Sequence, residues 1–515
     1  MTSRLVVVVP SIMDDFGPWE GLVGRLQALP GYGPAECHWE LIRHGAKWHS
    51  RRSVLDVARH VAARINQRWV ADGGYDDVVL VGHSLGGTLL RQAYVDDLAA
   101  KEPTWAAKVS RIVLFASINR GVALPRAAAV ARWLPYVRHC LFHDLLRGSA
   151  FIANLRITWM REVNILDHPP LIVQFLGDRD GLVRDDDSSD IQQFPTGDQV
   201  IVPDAGHGDL IRLDLAPEPE QRFALVAKAF TRALKTAVVP EIGDNGRTVV
   251  IVLHGIRAGN TTWVRDIEDH ISRTYPGVDV VAASYGRFSA RKFIFPAMRR
   301  RFIGWLEDVY AERLALNPKA TFHFIGHSNG TYLLGHGLAT IPGMRFGRVL
   351  LAGSVLPTSY DWRARFERGQ VGHVRNDRAA RDIPVGVLCA ALRGLGMRDV
   401  GTGGVDGFYA WDSDAKTEVY YYPGGHSAAL AAENLPALAA YVLKGDTAAP
   451  AGLSRDVSAG FALLSRSSTP LAWLLLSGLA AAGVALVLLG PLAWPFNALI
   501  LATVLLAAFL ILDLV

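Results

Sequence analysis

The stretch VLVGHSLGG, residues 79–87, decides the fold of the first half of this chain. The apolar residues before Gly82 predict a buried parallel strand, and the apolar residues from Thr88 onward predict a helix. Between them, Gly82 and Gly86 leave room for a sharp, strained turn with Ser84 at its tip. We therefore predict a serine hydroxyl that stands clear of the sheet and is available for chemistry.

The second half of the chain repeats this arrangement in FHFIGHSNG, residues 322–330, which places Ser328 between another strand and another helix. One offset relates four pairs of positions: Pro10 and His254, Ile12 and Ile256, Trp19 and Trp263, and Ser84 and Ser328. A shared offset over this distance predicts a duplicated domain, present as two long copies.

Length and composition narrow the class of protein. A chain of 515 residues suggests two to four domains, each large enough for its own core. The net charge of +4 is nearly balanced, which argues against nucleic acid as the main partner. Three cysteines without metal-like spacing indicate a reducing compartment and no disulfide framework.

Strands alternate with helices in both halves, a pattern typical of α/β domains built on mostly parallel, doubly wound sheets. We predict a first domain at residues 1–240, a second at 246–446, a linker at 447–467 and a transmembrane helical hairpin at 468–515. An apolar insertion at residues 122–163 is either a lid over the first site or an ordinary packed segment.

Two loops after late strands of the first half supply partners for Ser84. Asp180 and Asp178 follow one strand, and His207 follows the next. A serine needs a base to take its proton, and the base needs a carboxylate to hold its tautomer. The order Ser84, Asp180, His207 therefore predicts a catalytic triad, and we favour Asp180 because Asp178 lies nearer the strand.

The second half offers Ser328 and His426, which follows a Pro-Gly-Gly turn. For the acid we favour Asp382, because a strand is predicted shortly before it, while Asp399 and Asp406 remain alternatives. This half is either a second active site or a decayed or regulatory copy.

Both halves resemble α/β-hydrolases of the serine esterase and lipase type, with GHSLG at residues 82–86 close to the lipase form of the turn. Residues 147–155 also resemble lipase and acylhydrolase members. The first half has Pro10-Ser11 where many members have His-Gly, and the second half has the His-Gly form. The resemblance implies that oxyanion-binding N–H groups come from Ile12 and Leu85 in the first half and from Ile256 and Asn329 in the second.

The end of the chain predicts a membrane location. Residues 467–512 contain no charged side chain, and residues 471–490 are long enough to cross a bilayer. A second, shorter apolar run at 496–512 completes the predicted hairpin. Arg455 and Arg466 precede it, so the positive-inside rule predicts cytoplasmic catalytic domains. Residues 291–302 mix basic and apolar side chains and lie either on an anionic membrane surface or on a solvated helix face.

Together these features predict a membrane-anchored serine hydrolase that cleaves carboxylic esters through an acyl-enzyme, with a lipid or acylated substrate favoured. The chemistry needs no metal or organic cofactor. Thioester or amide cleavage would use the same residues and stays open, as does a binding or scaffold role without turnover. The acidic run at residues 185–187 has no ligand-like partner in the sequence and is predicted to be a solvent loop.

Overall fold

The computed structural model describes most of the chain: residues 3–12, 15–47, 50–122, 141–183, 187, 197–213, 216–233, 247–255, 262–282, 289–409, 416–450, 452–454, 457–489, 495–497 and 499–503. The chain divides into two compact units. One consists of Met1–Asn245 with Ala311–Lys319, and the other of Gly246–Tyr310 with Ala320–Val515.

The first unit is built on a six-stranded parallel sheet in the order β2-β1-β3-β4-β5-β6. Its strands are β1 Arg4–Val9, β2 Cys37–Leu41, β3 Asp77–His83, β4 Val109–Phe115, β5 Leu171–Gly177 and β6 Gly197–Val202. Its helices are α1 Glu20–Gln27, α2 Val54–Ala71, α3 Leu85–Leu98, α4 Leu141–Asp144, α5 Ala150–Glu162 and α6 Pro219–Thr231. The apolar runs of β1 and β3 are fully buried, as expected for strands covered on both faces.

The second unit contains another six-stranded parallel sheet, in the order β8-β7-β9-β10-β11-β12, which is the same topology in the same chain order. Its strands are β7 Thr248–Leu253, β8 Asp279–Ala282, β9 Thr321–His327, β10 Phe346–Ala352, β11 Val371–Ala379 and β12 Thr417–Tyr422. Its helices are α7 Thr262–Thr274, α8 Ala290–Ile294, α9 Pro296–Arg301, α11 Asn329–Thr340, α12 Trp362–Glu367, α13 Ala390–Gly394, α14 Gly403–Asp406, α15 Leu435–Lys444 and α16 Ala459–Leu489. The helix α10 Ile303–Leu316 begins in this unit and ends in the segment Ala311–Lys319 that is grouped with the first unit. Six π-helical residues, Pro384–Cys389, lead directly into α13.

The C-terminal α16 is a candidate membrane anchor by length and composition. It has 31 residues, more than the roughly 20 that a bilayer requires, and a mean hydropathy of 2.3 in its most apolar window. The helix begins before the predicted start at residue 468, because its first turns pack on the second unit through Ser465 and Thr469. Of the predicted second leg, helical backbone is described only at residues 495–497 and 499–503.

One acidic segment and one basic segment differ from what the sequence suggests. Asp187 is buried, contrary to the solvent loop predicted at residues 185–187, and its carboxylate accepts hydrogen bonds from the backbone N–H groups of Asn119 and Arg120. In the basic stretch, Arg299 is fully buried and pairs with Asp399 at 2.8 Å. Burial and pairing take that arginine out of any surface patch. Residues 123–140 of the predicted lid lie outside the described residues.

The turn after β3 depends on the absence of side chains at its glycines. A Cβ on Gly86 would lie 2.2 Å from the carbonyl oxygen of Val9 and 2.3 Å from that of Pro10, far inside any real contact distance. A Cβ on Gly82 would lie 2.5 Å from the backbone of Gly87. The helix that follows the turn can therefore reach the end of β1 only because residue 86 is glycine.

We expect Gly86→Ala to lower the free energy of unfolding of the first unit by about 1–3 kcal/mol, the usual cost of forcing atoms into a packed interior. The matched control is Gly24→Ala in α1, where an added Cβ meets nothing within 4 Å and alanine favours the helix. Thermal unfolding of the full-length variants measures both. An unchanged midpoint for Gly86→Ala would contradict the close approach described above.

Candidate functional site

Ser84 occupies the tip of the turn between β3 and α3. Its backbone has φ 52° and ψ −120°, a conformation that non-glycine residues rarely adopt and that costs of the order of 1–3 kcal/mol. The Ser84 N–H donates to the carbonyl of Phe115 on the neighbouring strand at 2.8 Å, which helps to hold the strained turn. The strain raises the side chain above the carboxyl edge of the sheet.

The loops after β5 and β6 bring the two predicted partners to Ser84. The Oγ of Ser84 lies 2.8 Å from Nε2 of His207. The Nδ1 of the same ring lies 2.8 Å from Oδ2 of Asp180. With Nδ1–H donating a hydrogen bond to the carboxylate, the unprotonated Nε2 can accept the serine proton. These three side chains thus form a continuous hydrogen-bonded chain that can activate the hydroxyl.

Asp180 is held as an ionised acceptor. Its side chain is completely buried, and its other oxygen accepts the N–H groups of Leu182 at 2.8 Å and Val183 at 3.0 Å. Burial by itself would raise the pKa of Asp180, but the hydrogen bonds from His207 and from these two N–H groups outweigh it and leave the pKa below its ordinary value. Asp178 instead accepts the N–H of Ala205 at 3.2 Å, so it shapes the loop that carries the histidine.

His83, the residue before the serine, forms a hydrogen bond within the site that the sequence did not predict. Its Nε2 lies 2.8 Å from the carbonyl of His207, and since a carbonyl only accepts, the His83 ring must donate. Burial lowers the pKa of His83 to about 4, so the ring is neutral at physiological pH. His83 therefore fixes the backbone of the base. The Gly-His-Ser sequence that both halves share was the feature that could have identified this histidine.

The two predicted oxyanion donors of the first unit face the same cavity as Ser84 and His207, because Ile12 and Leu85 both line it. Leu85 begins α3, where helical N–H groups have no partner within the helix. Among the described residues, no hydrogen bond occupies the N–H of either donor. Both can therefore bind an oxygen atom that becomes negative during reaction.

A second unpredicted imidazole orients the donor at Ile12. The Nδ1 of His44 accepts the N–H of Ala46 at 3.0 Å, so its Nε2 carries the proton and donates to the carbonyl of Ser11 at 3.0 Å. The carbonyl and N–H of one peptide point in opposite directions, so fixing the Ser11 carbonyl fixes the N–H of Ile12. This contact compensates for the missing His-Gly pair.

The second unit assembles the acid and base but not the serine contact. The Nδ1 of His426 lies 2.8 Å and 2.9 Å from the two oxygens of Asp382. Ser328 has the same strained backbone as Ser84, with φ 52° and ψ −120°. However, no hydrogen bond joins Ser328 to His426 in the described part of this unit. Asn329, whose backbone N–H is one of the two predicted oxyanion donors of this unit, is the first residue of α11 and follows Ser328 directly.

Several further contacts of the second site parallel the first. The Nε2 of His327 donates to the carbonyl of His426 at 3.2 Å, and burial lowers the pKa of His327 to about 3. The Nδ1 of His254 lies 2.8 Å from the carbonyl of Gly255, the peptide that precedes the predicted donor Ile256. Ile256 itself lies outside the described residues.

The two alternative acids of this unit are engaged elsewhere. Asp399 accepts hydrogen bonds from Arg299 at 2.8 Å and from the hydroxyl of Tyr332 at 2.9 Å. Asp406 accepts the hydroxyl of Thr402. In the described part of this unit, neither forms a hydrogen bond with His426, whose Nδ1 is bonded to the Asp382 carboxylate. In the structure, Asp382 is thus the acid that meets the base.

The cavity beside Ser84 is narrow and mostly apolar. Besides the residues of the site, six apolar side chains line it: Ile118, Val122, Phe142, Leu145, Leu182 and Val183. A larger cavity of about 450 Å³ lies between β5, β6 and α6, and none of Ser84, His207 and Asp180 lines it. No metal-binding group of three or more His, Cys, Asp and Glu side chains occurs within the described ranges.

Comparison with known proteins finds only distant similarity. No protein-family model and no curated protein sequence matches the chain. Among solved structures, a peroxisomal alpha-beta-hydrolase, Lpx1, from Saccharomyces cerevisiae is 10% identical, with 47% of this chain and 81% of that chain covered and a TM-score of 0.30. The monoacylglycerol lipase of Paleococcus ferrophilus is 15% identical, with 44% and 95% covered and a TM-score of 0.31.

A third structure, carboxyl esterase 2 from Tuber melanosporum, is 12% identical, with 45% of this chain and 78% of that chain covered and a TM-score of 0.32. TM-scores of this size, over less than half of the chain, do not allow the activity of these proteins to be assigned to this one. The chemistry is therefore inferred from the residues and distances of the two sites.

We expect Asp180→Asn to slow the reaction of Ser84 with a fluorophosphonate by up to about 10⁴-fold, because an amide cannot hold His207 in the required tautomer. The control is Asp178→Asn, whose amide oxygen can still accept the N–H of Ala205 and should leave the rate within a few fold. Both are measured in a chain that also carries Ser328→Ala. Equal rates for the two variants would show that Asp180 is not the acid.

His44 provides a separate test of the oxyanion site. His44→Phe removes the donor to Ser11 and should lower kcat for a short p-nitrophenyl ester by about 10- to 100-fold, with KM little changed, since an oxyanion donor acts in the transition state. His44→Gln can accept from Ala46 and donate to Ser11, so it should recover much of the loss. A loss of equal size in both variants, or a change confined to KM, would contradict the positioning role.

Proposed function

We propose that the first unit is a serine hydrolase of the α/β-hydrolase type that cleaves carboxylic esters. The observation that carries this proposal is the continuous chain of 2.8 Å contacts from Ser84 through His207 to Asp180, at a turn whose serine has φ 52°. A serine, an imidazole and a buried carboxylate in this order are the components of nucleophilic acyl transfer.

In the proposed reaction, the Oγ of Ser84 attacks the ester carbonyl carbon while its proton passes to Nε2 of His207. The carbonyl oxygen becomes negative and is stabilised by the N–H groups of Ile12 and Leu85, each worth about 3 kcal/mol in comparable sites. The C–O bond to the alcohol then breaks, and His207 returns the proton to the departing oxygen. Water, deprotonated by the same ring, releases the acid and restores Ser84.

The apolar lining of the cavity favours an acyl group with hydrocarbon character. Phe142, Leu145 and Leu182 offer surface to a chain but no donor or acceptor to a polar substituent. Thioester or amide cleavage would require the same triad and remains the alternative. A panel of ester, thioester and amide substrates with one common acyl chain distinguishes them by kcat/KM.

The second unit is proposed to perform the same chemistry with Ser328, His426 and Asp382, using the N–H groups of Asn329 and Ile256. The missing hydrogen bond between Ser328 and His426 favours a second candidate for this unit, a slower or regulatory copy. An active copy requires the Oγ of Ser328 to come within hydrogen-bond distance of Nε2 of His426, which is already paired with Asp382.

The whole protein is proposed to be anchored to a membrane by α16, with both units in the cytoplasm. The support is the length and apolar composition of α16 and the presence of Arg455 and Arg466 before its apolar part. A membrane location agrees with an acylated or lipid-like substrate, which partitions into bilayers.

A fluorophosphonate probe tests the mechanism and the division of labour. We expect rapid labelling of the full-length chain, loss of most of it in Ser84→Ala, and slower residual labelling that disappears when Ser328→Ala is added. The reason is that only Ser84 is already hydrogen-bonded to its base. Unchanged labelling in the double variant would end the proposal, and equal labelling of the two single variants would remove the ranking of the sites.

A further inference from the structure

The carboxylate of the second site belongs to the start of a short apolar helix. Oδ1 of Asp382 accepts the N–H of Val385 at 3.0 Å, and the same carboxylate receives Nδ1 of His426. The helical residues that follow, Pro384–Gly394, are here called the Pro384–Gly394 helix. Contacts that hold this helix in place therefore also hold the Asp382 carboxylate in position against His426.

One side of the Pro384–Gly394 helix packs along the first turns of α16. Three donors of α16 reach backbone carbonyls of the helix at equal spacing: Ser465 to Gly386 at 2.7 Å, Thr469 to Ala390 at 3.2 Å and Trp473 to Gly394 at 3.3 Å. The constant register means that the two helices run side by side in the same direction. Small residues at every fourth position permit this approach, as they do between membrane helices.

The close approach depends on the two glycines. A Cβ on Gly394 would lie 2.3 Å from the side chain of Thr469, and one on Gly386 would lie 2.7 Å from the ring of Phe461. A second side of the helix faces the interior of the unit, with Val385, Cys389 and Leu392 buried.

The third side of the helix, together with the residue before and the residue after it, is entirely apolar and only partly covered. It consists of Ile383, Pro384, Val387, Leu388, Ala391 and Leu395, which we call the exposed strip. Ile383 is 58% exposed and Leu388 is 39% exposed. Water is a poor environment for such a strip, and it continues onto the exposed leucines of the adjoining α16, among them Leu463 and Leu471.

Exposed basic side chains flank the exposed strip along the chain and on the adjoining helix. Arg381 precedes it and is exposed, Arg398 follows it and is exposed, and Arg466 is exposed on the adjoining α16. The nearby carboxylate of Asp399 is already paired with Arg299. An apolar face bordered by arginines fits the boundary between lipid headgroups and acyl chains.

We propose that the exposed strip of the Pro384–Gly394 helix lies in the surface layer of a bilayer and holds the Ser328 site at the membrane. The inference rests on the proposed role of α16 as an anchor and goes beyond it, because spanning by α16 does not by itself place the exposed strip in contact with lipid. It assigns the second site to substrates presented by the bilayer, such as acyl esters with lipid-like chains.

The test uses the full-length chain in nanodiscs of phosphatidylcholine and phosphatidylserine, at one copy per disc, and a membrane-impermeant maleimide. Leu388→Cys should react at least about tenfold more slowly than Leu316→Cys, because residues in the interfacial layer are shielded from water. Leu316 is the matched control, an exposed leucine at the end of α10 that is 71% exposed. The unsubstituted chain gives the background from its own cysteines, of which Cys37 and Cys389 are buried.

Ile383→Cys, nearer the N-terminal end of α16, is a second reporter should Leu388→Cys fail to fold. It should also react more slowly than Leu316→Cys, by a smaller factor, because the helix runs alongside α16 and its first residues lie farther from the apolar part of α16. Equal rates for strip and control positions in discs would overturn the inference while leaving the anchor intact. Protection that appears only with two copies per disc would also overturn it, because a second chain would then be the cover. Failure to enter discs would remove the anchor as well, and fluorophosphonate labelling of Ser84 in that sample would still report on the proposed chemistry.

Discussion

The contact on which the first site depends is the approach of the turn at Gly86 to the end of β1. Because no side chain stands at residue 86, the start of α3 reaches the carbonyls of Val9 and Pro10. That approach keeps Ser84 in its strained conformation and brings the N–H of Leu85 to the same cavity as Ile12. Packing around Gly86 offsets the conformational strain of the Ser84 backbone, since strained residues persist only where their surroundings hold them.

Neutral imidazoles that never touch a reacting atom organise both sites. His83 donates to the backbone carbonyl of His207, and His327 donates to that of His426. Burial keeps the rings of His83 and His327 uncharged near pH 7. A buried ring that can donate but carries no charge fixes a carbonyl without the cost of burying an ion. The base is thereby positioned from its backbone as well as from its carboxylate.

In each unit an imidazole donates to a carbonyl of the loop that is proposed to bind the oxyanion, and the two imidazoles come from different places in the chain. In the second unit the adjacent His254 reaches the Gly255 carbonyl, whereas in the first unit Pro10 cannot do so and His44 reaches the Ser11 carbonyl from a separate segment. The physical requirement is one imidazole donor to one carbonyl, and the chain position of that donor is free. A departure from a motif is therefore not evidence of a lost function when another residue meets the same requirement.

Local pattern in the sequence was sufficient for the strands, the two serine turns and the order of the partners, because apolar runs, glycine spacing and chain order are local properties. It also led to Asp180 and Asp382, although only tertiary packing shows that Asp178, Asp399 and Asp406 are bonded to other groups. His44, the buried Asp187 and the side-by-side packing of α16 with the Pro384–Gly394 helix depend on segments distant in the chain. Such contacts are selected by the packing of the folded chain, and no spacing along the sequence encodes them.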